Sequence, residues 1–131
     1  MKEVTLVYRV PYADTDQMGV VYYANYLVFF ERGRNELMRS LGLTYREMEE
    51  KGVGLPVLEA HVDYHAPARY DDLLEIRCWV DQMEGLKLKV NCEVKRNGQL
   101  LVAGYTKHVC FDYKALRPIR APEWFAKLLE D

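Results

Sequence analysis

The chain contains one long helical pattern followed by a series of strand patterns, and this order most restricts how it can fold. Over residues 24–41 one apolar face recurs at spacings of three and four, through Tyr26, Phe30, Gly33, Leu37 and Leu41. The later segments alternate apolar and polar residues, which is typical of antiparallel strands with one buried face. Strands in succession with a single segregated helix predict the α+β class.

The helical segment also predicts how the sheet is arranged. Its first two turns, YLVFF, are apolar all round, so we expect this half of the helix to be buried on every side. Gly33 lowers helix propensity, which indicates that a sheet packs closely there. We therefore expect an antiparallel sheet of about five strands wrapped around one long central helix. Polar side chains appear only in the later turns, at Glu31, Arg32, Arg34, Asn35 and Arg39.

Period-two alternation and turn residues predict the remaining elements. A first strand covers residues 4–10, and later strands cover 58–65, 74–81, 86–95 and 100–112. Asn97-Gly98 is a strong hairpin signal, and Glu84-Gly85 marks a similar turn. The strand over 100–112 begins as an unbroken apolar run, so we expect it to be central. Short helices are predicted over 44–51, with Thr44 as N-cap, and over 123–129.

Length, charge and cysteine content limit the class of protein. The 131 residues fit one domain over 1–131, and the net charge of -2 offers no general attraction to nucleic acid or anionic membrane. No apolar run reaches the length of a membrane span. Cys78, Cys92 and Cys110 lie in strand patterns, which favours buried free thiols in a reducing compartment. Without a signal-peptide pattern, we expect a cytoplasmic protein.

A loop with two acids precedes the long helix. Residues 12–26 read YADTDQMGVVYYANY, with Asp14 and Asp16 ahead of Gly19. The start of a helix offers unpaired N–H donors and a positive dipole end, and a nearby carboxylate offers a base or nucleophile. Together these groups could attack an activated carbonyl. In an arbitrary protein, however, such acids are more often turn formers or helix caps.

Two segments favour a catalytic role for the acid loop over a purely structural one, because they resemble a known family. They are YADTDQMGVVYYANYLVFFERGR, starting at Tyr12, and YHAPARYDDLLEI, starting at Tyr64. Both are similar to the 4-hydroxybenzoyl-CoA thioesterase family, in particular to its Tol-Pal-associated acyl-CoA thioesterases. The resemblance covers nearly the whole chain. It implies the hotdog fold, hydrolysis of short-chain or aromatic acyl-CoA, and a homodimer, with a dimer of dimers expected.

The resemblance also implies roles for single residues. Asp16 matches the catalytic carboxylate, as general base or nucleophile, and Tyr23 matches the position whose backbone N–H polarises the thioester carbonyl. Relatives often have histidine at Tyr23, but the backbone role does not depend on the side chain. Gly19 and Val20 fall in the substrate-binding loop. Asp14 is expected to be structural. No cofactor is implied, because coenzyme A is part of the substrate.

Further binding residues are predicted around the second segment. His65, beside Pro67, is expected to line the pocket, and Arg69 is the first candidate for the phosphates of coenzyme A. Lys87 and Lys89 are further basic candidates, with ordinary surface charge as the alternative. His61 and His65 lie on one strand face, but two ligands without a third are too few for a metal site.

Two other functions compete with hydrolysis. A hotdog dehydratase or hydratase would act on acyl thioesters with an acid or base on the carbon chain, commonly a histidine near this helix. The segment 14–41 contains no histidine, which argues against that chemistry. A non-catalytic acyl-CoA-binding scaffold protein is the third possibility, and an intact Asp16 argues against it.

Overall fold

The computed structural model describes residues 2–130, which form an antiparallel sheet packed against one long helix. The long helix α1 spans Asn25–Ser40, and the short helices α2 and α3 span Tyr45–Glu50 and Glu123–Leu129. A 3-10 turn, Tyr12–Asp14, precedes α1. The strands are β1 Glu3–Arg9, β2 Val53–Gly54, β3 Val57–Tyr64, β4 Leu73–Glu84, β5 Lys87–Arg96, β6 Gln99–Asp112 and β7 Arg117–Ile119.

The main strands lie in the order β1-β4-β5-β6-β3, and every pairing is antiparallel. The long strand β6 is central, as predicted, because β5 and β3 pair with its two edges. The short strands β2 and β7 pair with the last residues of β6 and were not predicted. The predicted α+β architecture of about five principal strands around one helix is confirmed.

Helix α1 packs on β1, β4 and β5. The buried residues of β4 and β5 alternate as predicted, so each strand presents one apolar face to the helix. Gly33 lies where α1 approaches the sheet most closely, because a Cβ built on it would lie 2.2 Å from the Cys78 sulfur. The close approach of helix and sheet predicted at this glycine is therefore confirmed.

The prediction that the first half of α1 is buried on every side is wrong for the single chain. Phe29 and Phe30 are buried, but Leu27 and Val28 on the opposite side are 40% and 44% exposed. The sheet covers one face of α1, chiefly through β1, β4 and β5. An apolar surface on the helix is therefore left open.

Strand β3 also differs from its prediction, because its apolar face is not buried. Leu58 and Tyr64 are exposed, and Val62 is only partly buried. The strand lies at the edge of the sheet opposite β1, beyond the strands on which α1 chiefly packs. One edge of β3 pairs with β6, and among residues 2–130 no strand pairs with its other edge.

The smaller predictions are largely confirmed. Asn97 and Gly98 have φ values of 50° and 81°, which suits the tight hairpin between β5 and β6. The other hairpin turns one residue later than expected, with Gly85 and Leu86 between the paired residues Glu84 and Lys87. The three cysteines are buried free thiols. Within the described part of the chain, no helix has the length and apolarity needed to cross a bilayer.

Candidate active site

The acid loop folds into a tight turn headed by Asp16. The Asp16 carbonyl accepts a hydrogen bond from the Gly19 amide at 3.0 Å, and Gly19 has a φ of 79°, which favours glycine. The Asp16 Oδ1 atom accepts from the Met18 amide at 2.8 Å. No hydrogen bond reaches Oδ2 from any residue in 2–130. The half-buried carboxylate therefore shapes the turn with one oxygen and keeps the other available.

Asp14 holds the loop together through one carboxylate oxygen and its carbonyl oxygen. Its Oδ2 accepts a hydrogen bond from the Tyr8 hydroxyl at 2.5 Å. Its carbonyl oxygen accepts from the Tyr22 amide and from Asn25 Nδ2, both at 2.9 Å. Burial, followed by the bond to Asp14, raises the pKa of Tyr8 to about 12, so this hydroxyl remains a donor at neutral pH. These contacts support the structural role expected for Asp14.

Tyr23 lies two residues before the first residue of α1, with its side chain exposed. The Tyr22 amide donates to the Asp14 carbonyl and the Asn25 amide donates to the Tyr22 carbonyl, both at 2.9 Å, whereas the Ala24 amide has no acceptor among the described residues. The Tyr23 amide itself donates to no acceptor in the described chain. The Tyr23 carbonyl accepts from the Tyr64 hydroxyl at 3.0 Å. A free N–H donor at the start of a long helix is therefore held in place by the end of β3.

The segment after β3 forms the opposite wall of the site. Val20 and Arg69 form an antiparallel bridge, and the Val21 amide donates to the Ala68 carbonyl at 2.8 Å. The Ala68 amide donates to the hydroxyl of the buried Tyr26 at 3.1 Å. The acid loop, the first turn of α1 and the segment 64–69 are thereby joined by hydrogen bonds.

A groove of about 280 Å³ lies between these walls, and we call it the Tyr23 groove. Among the residues predicted from sequence, Tyr23, His65 and Pro67 line it. Val20 and Arg69 form their backbone bridge beside the groove. Gly19 and Asp16 lie in the turn of the acid loop that directly precedes Val20. The structure thus gathers the predicted residues in one region, although Asp16 does not itself line the groove. Apolar and aromatic side chains, including Val21, Tyr26 and Tyr64, complete the lining.

The basic residues and histidines that were considered as ligand-binding groups have different surroundings in the structure. Arg69 is exposed and forms no ion pair with a residue in 2–130, whereas Lys89 pairs with Asp81 at 3.3 Å. His61 pairs with Asp63 at 3.1 Å and stacks on Tyr105. No cluster of three or more potential metal ligands occurs among the described residues. Of the basic residues named from the sequence, Arg69 therefore stays the candidate for the phosphates, because its backbone bridge to Val20 places it beside the groove.

A second and larger cavity, of about 520 Å³, was not predicted, and we call it the Arg34 cavity. It lies between α1, α2 and the segment 53–57, with Phe111 from β6. Arg34 lines it and is only 8% exposed, although it was grouped with the polar residues of the later turns. The sequence did carry a signal, because Arg34 follows Phe30 by four positions and therefore shares its buried face.

Comparisons with known proteins agree with this geometry. A family model described as the thioesterase-like superfamily matches residues 10–129. The Bacillus subtilis protein YneP is 37% identical over an alignment of 121 residues, and the match covers 88% of each chain. The acyl-CoA thioesterase YbgC of Haemophilus influenzae is 36% identical over 116 residues, covering 88% of this chain and 85% of YbgC. The solved DHNA-CoA thioesterase of Staphylococcus aureus has a TM-score of 0.90 at 30% identity, covering 97% of this chain and 86% of that one. The chain therefore belongs to the thioesterase-like superfamily and has the hotdog fold that the resemblance predicted.

Proposed function

We propose that the protein hydrolyses acyl-CoA thioesters in the Tyr23 groove. The observation that carries the proposal is the unpartnered amide of Tyr23 at the start of α1, on the wall of an apolar groove. The thioester carbonyl would accept from this amide, which stabilises the negative charge that develops on the oxygen. The loop of Asp16, with its unpartnered Oδ2, is joined to the same groove through Val20 and Val21.

Thioester hydrolysis needs few groups, which suits so simple a site. Free thiols have a pKa near ~8.5, so the thiolate can leave without strong help from an acid. The carboxylate of Asp16 either activates a water molecule or attacks the carbonyl and forms a mixed anhydride. Coenzyme A enters as part of the substrate, and the chemistry needs no further cofactor. Arg69 beside the groove would pair with its phosphates.

We also propose that the active form is a homodimer paired through β3. An exposed edge strand with apolar side chains readily pairs with a second strand. Here Leu58 and Tyr64 are exposed along the unpaired edge strand β3, and Leu27 and Val28 are exposed on α1. A second copy of the chain would cover these surfaces. The exposed pair Tyr12 and Tyr70, with ring centres 5.8 Å apart, would then remain for pairing of dimers.

The acyl group is proposed to be short or aromatic, as in the resembling family. The name of one relative supports an aromatic group, since the Staphylococcus aureus enzyme is a DHNA-CoA thioesterase. The groove is also small and lined by aromatic rings, which favour flat or short groups.

One observation keeps a hydratase or dehydratase as the second candidate. His65 lies in the same groove as Tyr23, so a histidine is available there even though the segment 14–41 has none. That chemistry would add water to the carbon chain of an enoyl thioester. Formation of a hydroxyacyl-CoA from an enoyl-CoA, with no thiol released, would distinguish it from hydrolysis.

Release of free thiol from a series of CoA esters, from acetyl to palmitoyl and including benzoyl, tests the proposal. We expect Asp16→Asn to lower kcat by at least about 100-fold, because it removes the base or nucleophile but can still accept from Met18. Glu75→Gln, an exposed acid on β4, is the matched control and should keep full activity. Near wild-type turnover by Asp16→Asn would contradict the role of Asp16. Tight binding of CoA esters without thiol release would instead favour a binding protein.

A further inference from the structure

The Arg34 cavity contains a buried cation that lacks a counter-ion. Arg34 is more than nine-tenths buried, and no carboxylate of residues 2–130 lies within 4.0 Å of its guanidinium. Its Nε atom is buried and has no hydrogen-bond partner in the described chain. Burying a charged group without a partner is unfavourable, so such a group indicates a missing acceptor.

A chain of hydrogen bonds fixes the guanidinium without using Nε. His108 Nδ1 lies 3.0 Å from the Leu55 carbonyl, which can only accept, so Nδ1 carries the proton. His108 Nε2 therefore accepts from the Thr106 hydroxyl at 2.8 Å, and the Thr106 oxygen accepts from Arg34 Nη1 at 3.3 Å. Burial, aided by the positive charge of Arg34, lowers the pKa of His108 to about 4, so this arrangement persists at neutral pH. Arg34 thus donates to Thr106 through Nη1 and lies beside the Tyr45 hydroxyl, while its Nε–H remains free to donate.

The other groups of the cavity restrict which acceptor fits. Its walls include the apolar side chains of Met48, Val53 and Phe111, which suit a hydrocarbon group. Two acids, Glu31 and Glu49, also line it, but both are exposed and neither pairs with Arg34. The cavity thus combines apolar walls and solvated acids with two groups that can donate, the buried Arg34 guanidinium and the Tyr45 hydroxyl.

The proposed pairing of β3 would place this cavity beside the Tyr23 groove of a second copy. Val57, the first residue of β3, lines the cavity, and Tyr64, the last residue, lines the groove. When two β3 strands pair antiparallel about their centre, the Val57 end of one strand lies beside the Tyr64 end of the other. An acyl group held at the Tyr23 amide of one copy could then extend into the Arg34 cavity of its partner.

We infer that Arg34 determines substrate specificity by binding an oxygen atom at the distal end of the acyl group. The inference rests on the proposed thioesterase function and adds the class of substrate. An acyl chain or ring with a distal hydroxyl or carboxylate would accept from the Arg34 Nε–H, whereas a plain hydrocarbon group would leave this donor unpaired. Arg34 is not a catalytic residue, because it takes no part in breaking the thioester.

Matched CoA esters that differ only at the distal end test the inference. We would measure kcat/KM for hexanoyl-CoA, ω-hydroxyhexanoyl-CoA and adipoyl-CoA, and for benzoyl-CoA and its ring-hydroxylated form. We expect the wild-type protein to prefer the oxygen-bearing member by about tenfold or more, as for a hydrogen bond to a charged donor. Comparison of ω-hydroxyhexanoyl-CoA with adipoyl-CoA shows whether Arg34 prefers a neutral or an anionic acceptor.

Variants at Arg34 complete the test. Arg34→Met, of similar length but apolar, should lose the preference and hydrolyse the plain esters within about threefold of wild type. Arg34→Lys keeps the charge and should recover part of the preference. Equal kcat/KM of the wild-type protein for both members of each pair would overturn the inference and leave the thioesterase proposal intact. A preference that survives in Arg34→Met would overturn it too. If the wild-type protein hydrolysed none of these esters, both the inference about Arg34 and the thioesterase proposal would be overturned.

Discussion

The hydroxyl of Tyr64, the last residue of β3, donates to the carbonyl oxygen of Tyr23 at 3.0 Å. This bond joins the edge strand to the turn whose free amide we propose as the oxyanion donor. The aromatic ring of Tyr64 also packs edge-on against Tyr26, with ring centres 5.5 Å apart. Position and packing of the first turn of α1 thus depend on a residue from a distant part of the chain.

Removal of this bond should impair the chemical step more than substrate binding. We expect Tyr64→Phe to lower kcat by about two- to tenfold, the equivalent of one neutral hydrogen bond, with little change in KM. The ring and its packing on Tyr26 are retained. Tyr70→Phe, at another exposed tyrosine, is the control and should leave kcat unchanged. A rise in KM at constant kcat would show instead that the bond serves substrate binding.

Close packing of α1 on β4 leads to a prediction about stability. In Gly33→Ala the new Cβ would lie 2.2 Å from the Cys78 sulfur, so the gain in helix propensity should be outweighed. We expect Gly33→Ala to lower the free energy of unfolding by ~1–3 kcal/mol, a typical cost of overpacking a core. Combination with Cys78→Ala removes the clashing sulfur and should restore part of this loss. Simple additivity of the two substitutions in urea unfolding would contradict the proposed clash.

The bond between Tyr8 and Asp14 predicts how stability changes in alkaline solution. The pKa of Tyr8 rises from 10.0 to about 12 in the folded state, through burial first and the bond to Asp14 second. Folding therefore favours the protonated hydroxyl, and its stabilising effect is complete below pH 10 and is lost as pH rises towards about 12.

Urea unfolding of wild type and Tyr8→Phe between these pH values measures this effect. The difference in unfolding free energy between the two proteins should be largest below pH 10 and should shrink towards pH 12. Tyr70→Phe, at a tyrosine without a hydrogen bond to a described residue, controls for general alkaline unfolding. A constant difference between wild type and Tyr8→Phe would show that the hydroxyl contributes nothing that depends on its ionisation.

Local sequence patterns predicted the elements because side-chain periodicity follows directly from backbone geometry. The period of two identified the buried faces of β4 and β5, and the close approach of α1 followed from Gly33. The same patterns wrongly predicted that the apolar face of β3 and the outer side of α1 are buried within the single chain. Apolar side chains at Leu27 and Leu58 show that a surface should be covered, but they do not say whether the same chain covers it.

Prediction of the site was limited in a similar way. The acid loop and the start of α1 are adjacent in sequence, so Asp16 and Tyr23 could be named from the motif and its resemblance to a family. The bridge between Val20 and Arg69 joins segments that are distant in sequence, so only the fold shows which of the predicted residues form one groove. Arg34 was grouped with the other polar residues of the later helical turns and not named as a site residue, because only the fold shows that α2 and the segment after it cover it.

The exposed edge of β3 yields a prediction that links assembly to activity. Ala60 lies at the centre of β3 with its side chain exposed, so Ala60→Glu would place two acids near each other at the two-fold axis of a β3-paired dimer. We expect light scattering to give at least twice the mass of one chain for wild type and a lower mass for Ala60→Glu, with kcat/KM falling in parallel. Thr5→Glu, at an exposed position on the opposite edge strand β1, is the matched control and should change neither. A monomeric Ala60→Glu protein with full activity would show that each groove works without a second copy.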